Sequence, residues 1–181
     1  MKKWHSYILN LVVVLGLQLS YAQLSRTHYI PPISVANNSN ATPQNQYLHI
    51  STPSITPVNV TVTEIGGPVS VLSASNANPI EILIGSGTNT SFIADVSTTG
   101  TKYLNKGYSI QADQPVYASV RLIAGTSQSQ AGSLVSKGLA GLGTTFRVGT
   151  FTNQKTFTST STDYLNFVSV MATENNTQVD F

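Results

Sequence analysis

The sequence predicts an all-β protein, an antiparallel β-sandwich with long loops and at most one short helix, on three observations. Short segments alternate apolar and polar residues with a period of two. The cleanest is "VNVTVTEI" at residues 58–65, where Val58, Val60 and Val62 face one side and Asn59, Thr61 and Thr63 the other. Gly, Pro and Asn separate these segments at short intervals. Charged residues make up only 9% of the chain, against roughly 25% in ordinary soluble domains. The polar surface must therefore come from Ser, Thr, Asn and Gln, which suits hydrogen-bonding sheet faces and not helices laced by ion pairs. A propeller-like or repeated set of β units, incomplete within these residues, is the alternative architecture.

The first 22 residues read as a segment that directs export. Lys2 and Lys3 precede an apolar run from about Tyr7 to Leu19, and Ser20 and Ala22 put small residues at the −3 and −1 positions of a cleavage site. Cleavage of a secretory signal peptide is expected between Ala22 and Gln23, which places the protein outside the cell, secreted or at the cell surface. The run is short for a membrane span and Asn10 interrupts it, so no span is expected after cleavage. No Cys occurs anywhere in the chain. That excludes a lipoprotein anchor, a disulfide framework and a thiolate metal site. Loss of Lys2 and Lys3 leaves seven basic against seven acidic residues. The mature chain is formally neutral, which argues against nucleic acid as a partner.

Residues 23–46 form a Pro- and Asn-rich segment in which Pro31 and Pro32 forbid a central strand and residues 37–45 read as loop. The β module follows over residues 47–163. Residues 47–52 and 58–65 are expected to pair as a hairpin across "PSITP". Further strands are expected at residues 69–73, after Gly66, Gly67 and Pro68, and at 79–85. Residues 107–111 and 116–123 read as two strands joined by a turn at Ala112, Asp113, Gln114 and Pro115. Residues 144–151 and 166–173 complete the set. The stretch from 127 to 146 breaks the pattern and reads either as a short helix around residues 132–140 or as a long loop, with Gly138, Gly141 and Gly143 excluding a long helix. Residues 164–181 look like the start of a further β unit: a strand, then a turn at Asn175 and Asn176, whose side chains tolerate positive φ. A faint echo of residues 47–62 in residues 167–181 is what any two hairpins would produce.

Catalytic residue types are sparse. His28 and His49 are the histidines of the mature chain, and no G-x-S-x-G elbow exists to expose a serine nucleophile. A triad assembled from distant residues has nothing to favour it. The acids Glu64, Glu81, Asp95, Asp113, Asp163, Glu174 and Asp180 are scattered over strands and turns, and turn acids serve backbone geometry. No calcium loop is present. "GLAGLG" is followed by Thr144 where a phosphate loop requires Lys. The N-x-[ST] triplets at Asn37, Asn40, Asn59, Asn89 and Asn175 read as chance in so Asn- and Thr-rich a chain. No cofactor is expected, and the non-catalytic reading leads. Exposed Tyr47, Tyr103, Tyr108 and Tyr117 are the candidates for ligand contact. A tyrosine stripe on one open sheet face would mark a carbohydrate- or protein-binding module. A hydrolase is the remote alternative, and it needs a pocket joining a histidine to a carboxylate and a serine.

Several phrases together carry a resemblance: "THYIPP", "QYLHISTP", "KGYSIQADQPVYASVRL", "AGSLVSKGLAGLGTTFRVG" and "YLNFVSVMATENNTQVDF". They resemble the N-terminal region of gliding-motility-associated secreted surface proteins of Bacteroidetes, and are similar to the N-terminal domain of the IgG-Fc-binding protein family. The matching positions are Gln111 to Val120, Ala140 to Phe146, and Phe167 to Val179, with Asn175 where the family pattern has Asp. The resemblance implies a surface β module in adhesion or gliding motility. It implies as partners a surface polysaccharide or a host or neighbouring protein, and a type IX secretion machinery reached through a sorting domain that these residues lack. Immunoglobulin binding is not carried over, because the phrases are turn-and-strand punctuation and define no binding residue. The resemblance also leads to the expectation that Phe181 is where the sequence stops and not where the fold does.

Overall fold

The structure is a computed structural model and describes residues 23–35, 42–98, 100–125, 130–149 and 167–180. The expected signal segment and Ala22 lie outside the described residues, and Gln23 is exposed in a turn. Among the described residues there are nine strands: β1 (Ser25–Ile30), β2 (Ile33–Val35), β3 (Pro43–Ser51), β4 (Val58–Glu64), β5 (Val69–Ala74), β6 (Ile80–Gly85), β7 (Ile93–Asp95), β8 (Tyr108–Ala124) and β9 (Gln130–Val135). The helical content of the described residues is two 3-10 turns, Val96–Thr98 and Gly138–Gly141. The all-β class therefore holds, and no described helix is long and apolar enough to cross a membrane.

The architecture follows from one strand. β8 runs 17 residues without a break, roughly 55 Å at ~3.3 Å per residue. The turn expected at residues 112–115 does not form. Asp113 and Pro115 instead bend a continuous strand, because both halves keep ladder partners. Residues 108–111 lie between β4 and β1, and residues 119–122 lie between β3 and β9. Pro115, which has no N–H to give, sits at the changeover, as a strand proline must. The bend is held from both sides. Asp113 accepts hydrogen bonds from the Asn59 backbone N–H (3.1 Å) and from Asn59 Nδ2 (3.0 Å), and Thr52 Oγ1 donates to the Pro115 carbonyl at 3.0 Å.

The expected hairpin of β3 with β4 is replaced by a different arrangement. β3 and β4 follow one another along one edge of β8, joined by residues 52–57, and neither pairs with the other. β5 extends the sheet beyond β4 and β6 extends it beyond β3. The result is one seven-stranded sheet folded over on itself at the β8 bend, with β5 and β6 approaching to nearly close a barrel. β2 and β7 form a separate parallel pair.

Inward side chains from both halves meet in one core, which includes Leu48, Ile50, Val58, Val60, Ile110, Val116, Ala118 and Val120. The alternation read from β4 is realised: Val58, Val60 and Val62 are buried, and Asn59 faces solvent. Each such side chain contributes about 1.5–3 kcal/mol by leaving water.

Three further expectations are corrected. The Pro/Asn-rich segment holds β1, β2 and the first residues of β3, with Pro31 and Pro32 as the break between β1 and β2. Proline punctuates strands as readily as it prevents them. The anomalous stretch is neither helix nor simple loop: it forms β9 and then the Gly138–Gly141 turn. Gly138 is required there, since its φ is +58° and a Cβ would lie 2.2 Å from Ser25 Cβ. Finally, the described parts of the expected C-terminal strands, residues 144–149 and 167–173, form no strand. A turn does occur at Asn175 and Asn176, but only Asn176 has positive φ (61°), so it is not the expected hairpin turn.

Candidate functional site

The ladder registers decide which side chains share a face, because directly opposed residues of antiparallel strands project to the same side. On the outer face of β6, β3, β8 and β9, one row reads Leu83, Tyr47, Arg121, Ser133, and the next reads Glu81, His49, Ser119, Val135. Ser51 and Tyr117 form a third row. Alternation along β3 and β8 buries Leu48, Ile50, Ala118 and Val120 on the opposite side and so turns these residues outward.

This face is open. Tyr117 is 39% exposed, and Leu83 and Arg121 are exposed. Tyr47 and His49 are half-buried, with ring centroids 6.0 Å apart and ring planes tilted by 31°. Asn45 Nδ2 donates to the Tyr47 hydroxyl at 3.1 Å, and His49 Nδ1 lies 3.5 Å from Glu81 Oε2. Tyr47 and Tyr117 stand on neighbouring strands four residues out of register, roughly 13 Å apart along the strands. The face thus presents two aromatic rings flanked by an imidazole, a guanidinium and a carboxylate.

Of the four candidate tyrosines, Tyr47 and Tyr117 are brought together here and two are not. Tyr108 is 6% exposed, an inward residue at the start of β8, and is unavailable for ligand contact. Its phenol is pushed up to about 12, first by burial and then by the negative charge of Glu64, while a hydrogen bond with Ser91 works the other way. Tyr103 lies in the loop before β8, its hydroxyl hydrogen-bonded to that of Thr98. His49, Glu81 and Arg121 were not singled out from the sequence for this role. Only the cross-strand register gathers them.

The two histidines have separate environments. His28 is fully buried on β1 beside the bend of β8. Its Nε2–H points at the carbonyls of Val116 (2.9 Å) and Ser25 (3.1 Å), which leaves Nδ1 to accept from Ser136 Oγ at 3.0 Å. Burial lowers its pKa below the ordinary 6.5, against the opposing effect of the two carbonyls. The Ser136–His28 pair is sealed in the core and ties β1, β8 and the end of β9 at the corner of the folded sheet. A cleft of about 340 Å³ lined by Glu64, Ser91, Thr90 and Lys106 lies elsewhere. Its polar groups hold one another: Ser91 donates to Glu64, Lys106 to the Thr90 carbonyl, and Thr90 to Gln46 Oε1 (2.5 Å). Together they fasten the loop after β6 to the sheet.

No protein-family model and no curated protein matches this chain. Among solved structures, the chain is similar to the one titled "Crystal Structure of Thermotoga maritima 1070", at 10% identity, covering 62% of this chain and 92% of that one with a TM-score of 0.37. A likeness of that size carries no argument about function.

Proposed function

We propose that this chain is a non-catalytic β module that works outside the cell in adhesion or gliding motility, and that it engages surface polysaccharide through the open face of Tyr47, His49, Tyr117 and Arg121. The observation that carries the reading is the sharing of one solvent-facing sheet surface by Tyr47 and Tyr117, with hydrogen-bonding side chains between them. Tyrosine rings offer apolar surface with a polar tip at little entropic cost. A polysaccharide alternates apolar C–H faces with hydroxyl groups, and an open face admits a polymer passing across it. The ring spacing exceeds one sugar unit and suits a chain of several.

The export signal at residues 1–22 and the resemblance to gliding-associated surface proteins support the extracellular placement. A hydrolase reading draws no support from the histidines: His49 meets Glu81 on an open surface, and His28 meets Ser136 in the core. Binding of the purified chain to a panel of surface polysaccharides tests the proposal. Tyr47→Ala and Tyr117→Ala are each expected to weaken binding about tenfold, equivalent to ~1.4 kcal/mol, with the melting temperature unchanged. Undiminished binding in the double variant refutes the assignment of this face, and binding to proteins alone replaces polysaccharide with a protein ligand. Mass spectrometry of the exported protein checks the location, with a mature N-terminus at Gln23.

A further inference from the structure

β9 is an unfinished edge. Across the inner face of the folded sheet one row reads Ile82, Leu48, Val120, Leu134. Leu48 is fully buried and Val120 is 2% exposed, yet Leu134, on the same core-facing side, is 43% exposed. On the outer side, Val135 is exposed as well. β9 pairs with β8 on one side and with no described strand on the other. The remaining sheet edges are better covered. β5 and β6 approach each other, and the Gly138–Gly141 turn packs on β1. An uncharged edge strand with apolar residues on both faces is a template for another strand.

The same chain carries a segment that fits this edge. Residues 167–173 ("FVSVMAT") are strand-forming by composition, uncharged and free of proline. Phe167 and Met171 fall on one side and Val168 and Val170 on the other, so the segment is apolar on both faces, as β9 is. In the structure it pairs with no described strand, and Phe167, Val168 and Val170 lie exposed, while Met171 is half-buried near Gly107. We propose that residues 167–173 of one copy add as a strand to the free edge of β9 in a second copy, linking modules head to tail. Strand addition supplies affinity through main-chain hydrogen bonds and selects its partner through alternate side chains. Because donor and acceptor are different surfaces, the contact is heterologous and propagates into chains unless a rotation closes it.

Sedimentation of the purified chain over a range of concentrations tests this. Self-association that rises with concentration is expected. Val170→Pro removes a donor N–H from the added strand and is expected to leave a monomer. Leu134→Lys blunts the acceptor edge and should do the same; Val135→Lys serves as the second acceptor variant should the first fail to fold. Mixing the donor-defective and acceptor-defective proteins restores one intact junction, so a one-to-one complex should appear although each alone is monomeric. A wild-type chain that stays monomeric overturns the proposal, as does association that survives both substitutions or a mixture that forms no complex.

Discussion

Among the described residues, those of 25–135 and those of 142–149 and 167–180 draw on similar amino acids and arrive at different states. In the first region Val60 stands between Leu72 on β5 and Ala112 on β8 and is fully buried. In the second, Val168 and Val170 occupy the same kind of alternating run and are half exposed, with no ladder on either side. Alternation makes a strand only where another strand receives it, since both the hydrogen bonds and the cross-strand contacts come from the neighbour. In the first region β8 is that neighbour for four strands at once.

The largest expected effect lies in the body of the sheet. Ile110→Ala empties a fully buried site and should cost about 2–5 kcal/mol in denaturant unfolding, whereas Val170→Ala should stay within about 0.5 kcal/mol. Equal losses at the two sites would abolish the distinction between the regions. Next comes the corner held by His28. Its pKa is depressed in the folded state, so the unfolded chain binds a proton that the folded chain resists. Stability is then full above about pH 6.5 and falls as the pH drops from there toward the folded-state value. His28→Gln should cost about 1–3 kcal/mol near neutral pH through lost hydrogen bonds, and should flatten that part of the pH dependence; an unchanged slope would mean other groups set it. Hydrogen exchange refines the contrast further, with amides of β8 protected up to the global unfolding free energy and those of residues 167–180 exchanging through local motion. The smallest effect belongs to Asn176, whose φ of 61° lets Asn176→Gly pass with a change of a few tenths of a kcal/mol.

How much of this was legible in the sequence depends on how local each signal is. β4 and β6 were read nearly residue for residue, because their alternation and bounding turns lie within a few positions. In the sequence alone β8 reads as two strands, because Asp113 and Pro115 are turn-forming residues. What overrides them is pairing with residues as distant as Ser25 and Tyr47, which a local pattern does not carry. β1 and β2 were hidden by Pro31 and Pro32 for the same reason. Of the candidate tyrosines, Tyr47 and Tyr117 do lie on the outer face of the sheet, whereas Tyr108 turns inward between Ile30 of β1 and Glu64 of β4, a placement set by pairing with distant strands. The company of His49, Glu81 and Arg121 is set by register across three strands, and one sequence holds no trace of it.

The central position of β8 also sets a timetable for folding. Of the sheet that surrounds it, only the pairings of β4 with β5 and of β3 with β6 can form before residue 108 is available. Every other ladder pairing of the main sheet waits for residues 108–124, and closes loops as long as the one from Ser25 to Val116. Topologies dominated by such distant pairings fold in milliseconds to seconds, where local ones need microseconds. A chain built this way emerges from synthesis with the framework of its sheet unformed until residues 108–124 follow.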